Sequence, residues 1–208
     1  MRHTPRYIVE DPEWVKGLIR GNPWATIVSP TSAGLIASHY PVLLEEEAEG
    51  ISLVSHVGRP DDELHELGAH EVLVIVQGPH AYVSPSVYGN GENIATWDHL
   101  TAHLHGVPEI LDEEENYRVL ERLTDHFEHG RVGARSLAND EAGSRRVAKG
   151  TTGFRLRVTR FEARAKLSQN KAPEVMARVA DDLEARQPAL AAEVRRAIPG
   201  GPSPRLAP

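Results

Sequence analysis

A short apolar run followed by a long segment rich in turn-forming residues is the feature that most constrains this sequence. Residues 72–76 read VLVIV, a pattern that predicts a strand buried on both faces. Three glycines and two prolines then precede Trp97, and they predict a loop between this strand and a second one that runs from Trp97 to Gly106. A loop held between two strands is either a binding surface or a cover over the end of a barrel.

The side chains of this predicted loop are more varied than a spacer needs. They are an imidazole, hydroxyls and aromatic rings: His80, Tyr82, Ser84, Ser86, Tyr88 and, at the start of the next strand, Trp97. Such groups suit a planar, phosphorylated ligand. His80, Tyr82, Ser84 and Trp97 are therefore candidate binding residues, with packing at a barrel rim as the alternative.

Turn signals divide the chain into six predicted strands. They are Trp24–Ser29, Leu35–Leu44, Ile51–Ser55, Glu71–Gln77, Trp97 to about Ile110, and Thr152–Leu167. The last strand changes the phase of its alternation near Thr159, which predicts a β-bulge. Helices are predicted from Pro12, from Gly58 to Leu67, after the cap Asp112 and from Pro173 to Ile198. Strands between turns, with helices at the ends, favour a small barrel over a parallel sheet.

Composition excludes several classes of protein. The chain has 208 residues and no cysteine, which rules out disulfides, Fe–S clusters, thiolate zinc sites and cysteine nucleophiles. No apolar run approaches the roughly 20 residues of a membrane span, and the polar N-terminus does not resemble a signal peptide. These features predict a soluble, cytoplasmic protein with no membrane partner.

Charge is distributed unevenly along the chain. Residues 131–171 contain 11 Lys or Arg against 3 Asp or Glu, whereas residues 1–130 contain 7 against 22. A basic segment within an acidic protein is a candidate DNA contact. The alternative is the solvated outer face of the last strand together with a phosphate pocket.

Three sequence strings resemble one known family. GPHAYVSPSVY, TWDHLTAHLHG and GFRLRVTRFEARAKLSQNK occur in this order, within a resemblance that extends from about Tyr7 to Gln187. They resemble the PaiB-type FMN-binding negative transcriptional regulators, a branch of the split β-barrel flavoproteins related to pyridoxamine phosphate oxidase. One departure is Val87, which stands where that family's SPSWY string has tryptophan. The departure puts ring stacking at this point in doubt.

The resemblance implies a fold and a function. The implied fold is mainly β (α+β): a six-stranded split β-barrel of the FMN-binding type, with peripheral helices. We expect the barrel domain to span residues 1–170, a C-terminal helical extension 171–198 and a disordered tail 199–208. The implied function is repression by a homodimer that binds FMN at its subunit interface. The alternative is a flavin-dependent oxidoreductase, or a heme-binding or heme-degrading enzyme, of the same superfamily.

A flavin phosphate requires cations and hydroxyls. Arg59 is the best candidate because it lies where a strand is predicted to give way to a helix, so that a guanidinium and free helical N–H groups would both face the anion. The resemblance to split-barrel flavoproteins, which have a Ser/Arg-rich turn here, adds Ser55 and His56. The alternative for Arg59 is a surface ion pair with Asp61 or Asp62.

Three further residues are candidate flavin contacts. His39, on the second predicted strand, is a candidate ring or ribityl contact, with rim packing as its alternative. Lys166 and Gln169 follow the last predicted strand and would supply a charge and an amide to the flavin. Their alternatives are a loop cation and a turn amide.

A metal site is the last chemical hypothesis. His99, His103 and His105 share one face of a predicted strand, and zinc accepts three imidazoles. No carboxylate on the same face completes the set, and such histidines are often simple polar-face residues. The predicted cofactor is therefore FMN, without a metal and without protein-based catalytic residues.

Overall fold

The computed structural model describes residues 4–89, 91 and 94–200. Within them lie nine strands: β1 (Ile8–Val9), β2 (Trp24–Thr31), β3 (Gly34–Leu44), β4 (Ser52–Gly58), β5 (Val72–Val83), β6 (Thr96–Gly106), β7 (Glu109–Ile110), β8 (Thr151–Arg157) and β9 (Arg160–Lys166). The helices are α1 (Pro12–Gly21), α2 (Asp61–Leu64), α3 (Glu113–Glu128), α4 (Glu141–Ala148), α5 (Pro173–Glu184) and α6 (Pro188–Ala197). No helix of these residues is long and apolar enough to span a bilayer.

The strands are hydrogen-bonded in the order β1-β9-β6-β5-β2-β3-β4-β8-β7. Pairs such as β2–β3, β2–β5 and β4–β8 are antiparallel, so the predicted class, mainly β with helices, is confirmed. The predicted count of six strands is wrong, because the described residues form nine. One cause lies at Thr152–Leu167, where two strands replace the single bulged strand that the sequence predicts. β8 ends at Arg157, and the Thr159 amide then donates to the His105 carbonyl at 2.9 Å.

The chain forms two compact units. The first, called the terminal unit here, comprises residues 1–21, 77–102 and 162–208, and the second, the central unit, comprises 22–76 and 103–161. The division predicted at residues 170 and 198 stays a prediction. The predicted tail lies, from residue 201 onward, outside the described residues.

The core of the central unit is built on the β2–β3 hairpin. Its register runs from Trp24 opposite Pro41 to Thr31 opposite Gly34, and β5 pairs with the other edge of β2. In the run 72–76 the three valines are buried, whereas Leu73 and Ile75 are only partly buried. The prediction that this strand is buried on both faces is therefore wrong for the face that carries Leu73 and Ile75. Asp112 caps α3 by accepting the Glu115 amide at 2.8 Å, as predicted.

The terminal unit contains the segment that the sequence predicted as a loop. That prediction was wrong from Gly78 to Val83, because β5 continues through Gly78 and Pro79. Gly78 suits this position because a Cβ here would lie 2.6 Å from Leu18 Cδ1 and 3.2 Å from Leu100 Cβ, so the buried Leu18 side chain would have to shift. A glycine within a strand often marks such a close approach. His80 and Tyr82 therefore lie on a strand rather than on a loop.

Candidate functional site

Three aromatic side chains of the terminal unit form an exposed surface, called the aromatic face below. His80 and Tyr82 lie on β5 and Trp97 on β6. The Trp97 ring centroid is 6.3 Å from that of His80 and 6.1 Å from that of Tyr82. Trp97 is 56% exposed and Tyr82 is 43% exposed. Adjacent, solvent-facing rings of this kind can stack on a planar ligand.

A buried carboxylate anchors the residues beside this face. Asp98 is fully buried and accepts a hydrogen bond from Ser168 Oγ at 2.6 Å, while Lys166 Nζ lies 3.4 Å from its other oxygen. Burial raises the pKa of Asp98 and lowers the pKa of Lys166. Each shift reflects the cost of holding a charge away from water.

Lys166 and Gln169 make the contacts expected of their structural alternatives. Lys166 Nζ reaches the Trp97 carbonyl at 2.7 Å, Thr96 Oγ1 and Asp98, and three acceptors use all three protons of an ammonium. Gln169 accepts the Leu167 amide at 2.6 Å and donates to the Ala165 carbonyl at 2.5 Å. Both side chains therefore hold the turn after β9 and the backbone of Trp97.

Ser84 begins a short 3-10 turn over Pro85–Val87. Its hydroxyl accepts the Ser86 amide at 3.3 Å and lies 2.8 Å from the Ser86 hydroxyl. Val87, the departure from the family's SPSWY string, ends this turn. Ser84 thus has a local structural role. Its hydroxyl is paired with that of Ser86, and the Ser86 side chain is exposed to solvent.

The remaining candidates belong to the central unit. Arg59 follows β4, is 56% exposed and lies 3.7 Å from Asp62, so the predicted surface ion pair is present. The structure gives little support to a contribution from helical N–H groups, because α2 has only four residues and its first turn carries three acidic side chains. A phosphate at Arg59 would therefore depend mainly on side chains.

Arg59 lines a pocket of about 560 Å³, called the arginine pocket below. Lys149, Arg145 and Tyr117 also line it. Arg145 lies 4.0 Å from the Tyr117 ring centroid and pairs with Glu114 at 2.7 Å and Glu141 at 2.8 Å. The buried Tyr117 hydroxyl has no hydrogen-bond partner among the described residues. Glu113 and Glu114 line the pocket as well, so a polar ligand that entered it would find Lys149 and an unused hydroxyl beside two carboxylates.

Ser55, His56 and His39 have separate environments. Ser55 is fully buried, and its hydroxyl donates to the Pro41 carbonyl at 2.6 Å, so it ties β4 to β3 and offers nothing to a ligand. His56 lines a second pocket, beside α3 and α4, and its buried Nδ1 has no partner among the described residues. His39 is exposed and stacks on Trp24, with 6.5 Å between the ring centroids.

Sequence reasoning missed Trp24, Tyr117 and Lys149 as candidates. The hairpin register carried a signal for Trp24, because Thr26 lies opposite His39 and Trp24 is two residues away on the same face. No comparable signal identified Tyr117 and Lys149, which join Arg59 only through the packing of α3 and α4. For the histidine hypothesis, the half-buried His99, His103 and His105 do share a face of β6. The described residues contain no group of three potential metal ligands.

Residues 1–160 match the protein family described as "Putative FMN-binding domain". The chain belongs to this family. It is also 29% identical over 175 residues to the "Protease synthase and sporulation protein PAI 2" of Bacillus subtilis, covering 81% of this chain and 83% of that protein. The resemblance to PaiB-type proteins is thereby confirmed.

Solved structures show the same fold. The flavocytochrome Anf3 of Azotobacter vinelandii aligns with a TM-score of 0.61 at 14% identity, over 80% of this chain and 72% of that one. The FAD and heme binding protein of Mycobacterium smegmatis aligns with a TM-score of 0.57 at 18% identity, over 77% and 73%. These structural alignments establish that the chain has a split-barrel flavoprotein fold. At such low sequence identities they say nothing about its ligands.

Stability should depend on pH through His56. Burial lowers the pKa of His56, so the unfolded chain binds a proton that the folded chain does not, and the free energy of unfolding falls as pH drops below the ordinary histidine value. Chemical denaturation from about pH 7 to about pH 5.5 should show this slope, and His56→Gln should make it shallower. A residual slope is expected because burial also lowers the pKa of His65 and His99. If the free energy of unfolding of His56→Gln depended on pH as steeply as that of the wild type, His56 would not be a source of this pH dependence.

Proposed function

We propose that this protein is an FMN-binding, PaiB-like negative transcriptional regulator that binds flavin at a homodimer interface. Membership of the FMN-binding family and the similarity to PAI 2 support flavin binding. The observation that carries the proposal is the aromatic face, where three rings stand together in solvent on two adjacent strands. The regulatory part rests on the family resemblance.

The aromatic face is the proposed contact for the isoalloxazine ring. Trp97 and Tyr82 each leave a large apolar surface in water, and stacking on a flat ring would bury part of it. Asp98, Lys166 and Ser168 hold the first residues of β6 in place, so the Trp97 ring stands on a fixed backbone. A preformed surface of this kind loses little conformational freedom on binding.

The arginine pocket is the proposed contact for a phosphate. Among the described residues, the Arg59 guanidinium makes only a long ion pair with Asp62, and a guanidinium binds phosphate more strongly through paired N–H donors. Arg145 is already held by two glutamates, so Arg59 and Lys149 are the cations of this pocket that would meet a phosphate, against the charge of Glu113 and Glu114. The buried Tyr117 hydroxyl supports a polar occupant, because a buried donor without a partner costs free energy.

Arg59→Ala should weaken binding of FMN without affecting riboflavin. Loss of one charge-assisted contact should cost ~1.5–3 kcal/mol, or roughly ten- to a hundred-fold in FMN affinity. Riboflavin lacks the phosphate, so its affinity should be the same in wild type and variant. Fluorescence titration with both flavins measures this difference.

Arg118→Ala is the matched control for that experiment. Arg118 is an exposed arginine of the same unit and pairs with Glu114 at 3.6 Å, but it is not among the residues that line the arginine pocket. It should leave both affinities unchanged. Overlaid FMN titrations of wild type and Arg59→Ala would place the phosphate elsewhere, and equal loss of both flavins would indicate general disruption.

An apolar sheet face of the central unit supports the homodimer. The register places Val28 between Ala37 on β3 and Leu73 on β5, and Trp24 and Leu35 extend the same face. Trp24 is 63% exposed and Leu35 is 79% exposed. Thr26 and His39 lie on the same face, which is otherwise apolar. A large exposed apolar area typically marks an interaction surface, and we propose that a second copy of this chain covers it.

Ala37→Arg should disrupt this dimer. The substitution places a charge next to Val28, at the centre of the face, where a partner subunit would have to desolvate it. Sedimentation at micromolar concentration should show a dimer for wild type and a monomer for the variant. Ala134→Arg adds the same charge at an exposed loop position and should remain dimeric. A monomeric wild type would remove the homodimer from the proposal.

Ion pairs neutralise much of the basic segment 131–171 that was the candidate for DNA. Arg155 pairs with Glu45 at 2.9 Å, Arg160 pairs with Glu71 at 2.7 Å, and Arg157 pairs with Glu109. With Arg145 also paired, these contacts favour the alternative of a solvated outer face. Direct contact with DNA, if the repressor uses it, would depend on the segment's other cations, such as Arg135, Arg146 and Lys149.

The regulator and enzyme hypotheses differ in the behaviour of bound flavin. We expect NADH and NADPH to leave the absorbance of the flavin-loaded protein unchanged over seconds, because a sensor needs no turnover. Bleaching by either nucleotide, reversed by oxygen, would support the oxidoreductase alternative. A heme spectrum that forms on reconstitution and displaces flavin would support the heme-binding alternative.

A further inference from the structure

Helix α5 and Arg186, which follows its C-terminal end, contact the backbone of residues 82–88, the segment that begins with Tyr82 of the aromatic face. Arg186 Nη2 donates to the Tyr82 carbonyl oxygen at 2.9 Å. Arg178 Nε donates to the Val87 carbonyl oxygen at 3.0 Å, and its Nη2 donates to the carbonyl oxygen of Tyr88. We propose that Arg178 and Arg186 are positioning residues that hold residues 82–88 in the conformation that binds the flavin ring. This inference rests on the proposed function of the aromatic face.

The two arginines act at the two ends of this segment. Arg186 holds Tyr82, which belongs to the aromatic face itself, and Arg178 holds the last residues of the 3-10 turn that Ser84 begins. The Tyr88 side chain is buried, and Lys171 Nζ lies 4.2 Å from its ring centroid. Because both ends are attached to α5 or to residues that flank it, the conformation of the intervening residues depends on this part of the chain.

Main-chain carbonyls are the acceptors in all three contacts. Their position does not depend on which side chains the segment carries, so the contacts are compatible with valine at position 87. α5 lies beyond residue 160, where the match to the FMN-binding family ends. The C-terminal helices therefore add a support for the proposed ligand surface that the matched domain does not include.

The geometry predicts different responses to lysine at the two positions. Arg178 uses two separate nitrogens of one rigid, planar group for two successive carbonyls, and an ammonium, whose donors all lie on one atom, does not reproduce that spacing. Arg186 uses one nitrogen, Nη2, for Tyr82. The same nitrogen also donates to Asp182, one helical turn earlier, at 2.5 Å. A lysine at position 186 retains a donor for Tyr82, whereas a lysine at position 178 loses one of two contacts.

The test measures flavin affinity and backbone exchange in five full-length variants. Arg178→Ala and Arg186→Ala should each weaken FMN and riboflavin alike, by roughly tenfold, because both flavins share the ring. Arg186→Lys should restore affinity to within about twofold, and Arg178→Lys should not. Hydrogen exchange of the peptide that covers residues 82–88 should accelerate in both alanine variants. Arg195→Ala is the control, since Arg195 pairs with Asp181 at 2.9 Å and with Glu184, outside this segment.

Three outcomes would overturn the inference. They are alanine variants with wild-type flavin affinity, equal rescue by lysine at both positions, and an effect of Arg195→Ala as large as theirs. Unlike the Arg59→Ala variant, which should affect FMN alone, these variants should affect both flavins by the same factor. If the wild-type protein bound no flavin, the proposed function would fail, but hydrogen exchange would still test whether Arg178 and Arg186 hold residues 82–88. Faster exchange of this segment in the alanine variants would support that role, and unchanged exchange would overturn it.

Discussion

The buried carboxylate of Asp98 is the constraint on which the terminal unit depends. An ionised carboxylate removed from water is costly unless cations and hydrogen bonds compensate it, and Lys166 and Ser168 supply both. Meeting this requirement fixes the end of β9 and the turn that follows against the start of β6. Trp97, next in sequence to Asp98, is fixed at the same time through its carbonyl oxygen. The electrostatic requirement of one core residue thus determines where an exposed aromatic ring stands.

Local patterns predicted the elements whose causes are local. The Asp112 cap, the helix from Pro12 and the β2–β3 hairpin follow from capping, proline placement and alternation, and the structure contains all three. The errors arose where tertiary contacts overrule local propensity. Gly78 and Pro79 signal a loop, yet the close approach of Leu18 and Leu100 favours a glycine within a packed strand. Likewise, the phase change near Thr159 is a break between two strands with different partners.

Residue type indicated which side chains have suitable chemistry for a ligand, but not which of them keep hydrogen-bonding groups free to contact one. Ser55, Lys166 and Gln169 have suitable chemistry for a flavin contact, but the side chain of each donates its hydrogen bonds to other groups of the protein. Nothing in a sequence states which acceptor a donor will find. The same limitation applies to charge: the basic segment is real in the sequence, and its arginines meet the acidic residues of other strands and helices when the chain folds. A count along the chain cannot show that compensation.

The distribution of contacts around residues 82–88 suggests how the proposed ligand surface would tolerate a changed side chain. The family's tryptophan is absent at position 87, and the contacts of Arg178 there are with carbonyl oxygens. A backbone held in this way keeps Tyr82 beside Trp97 whichever side chain position 87 carries. On the proposed function, stacking on the flavin ring would then fall to the strand residues, where the fold fixes the geometry, rather than to the turn. On this argument, the departure at Val87 would change the area of the proposed ligand surface without removing the surface itself.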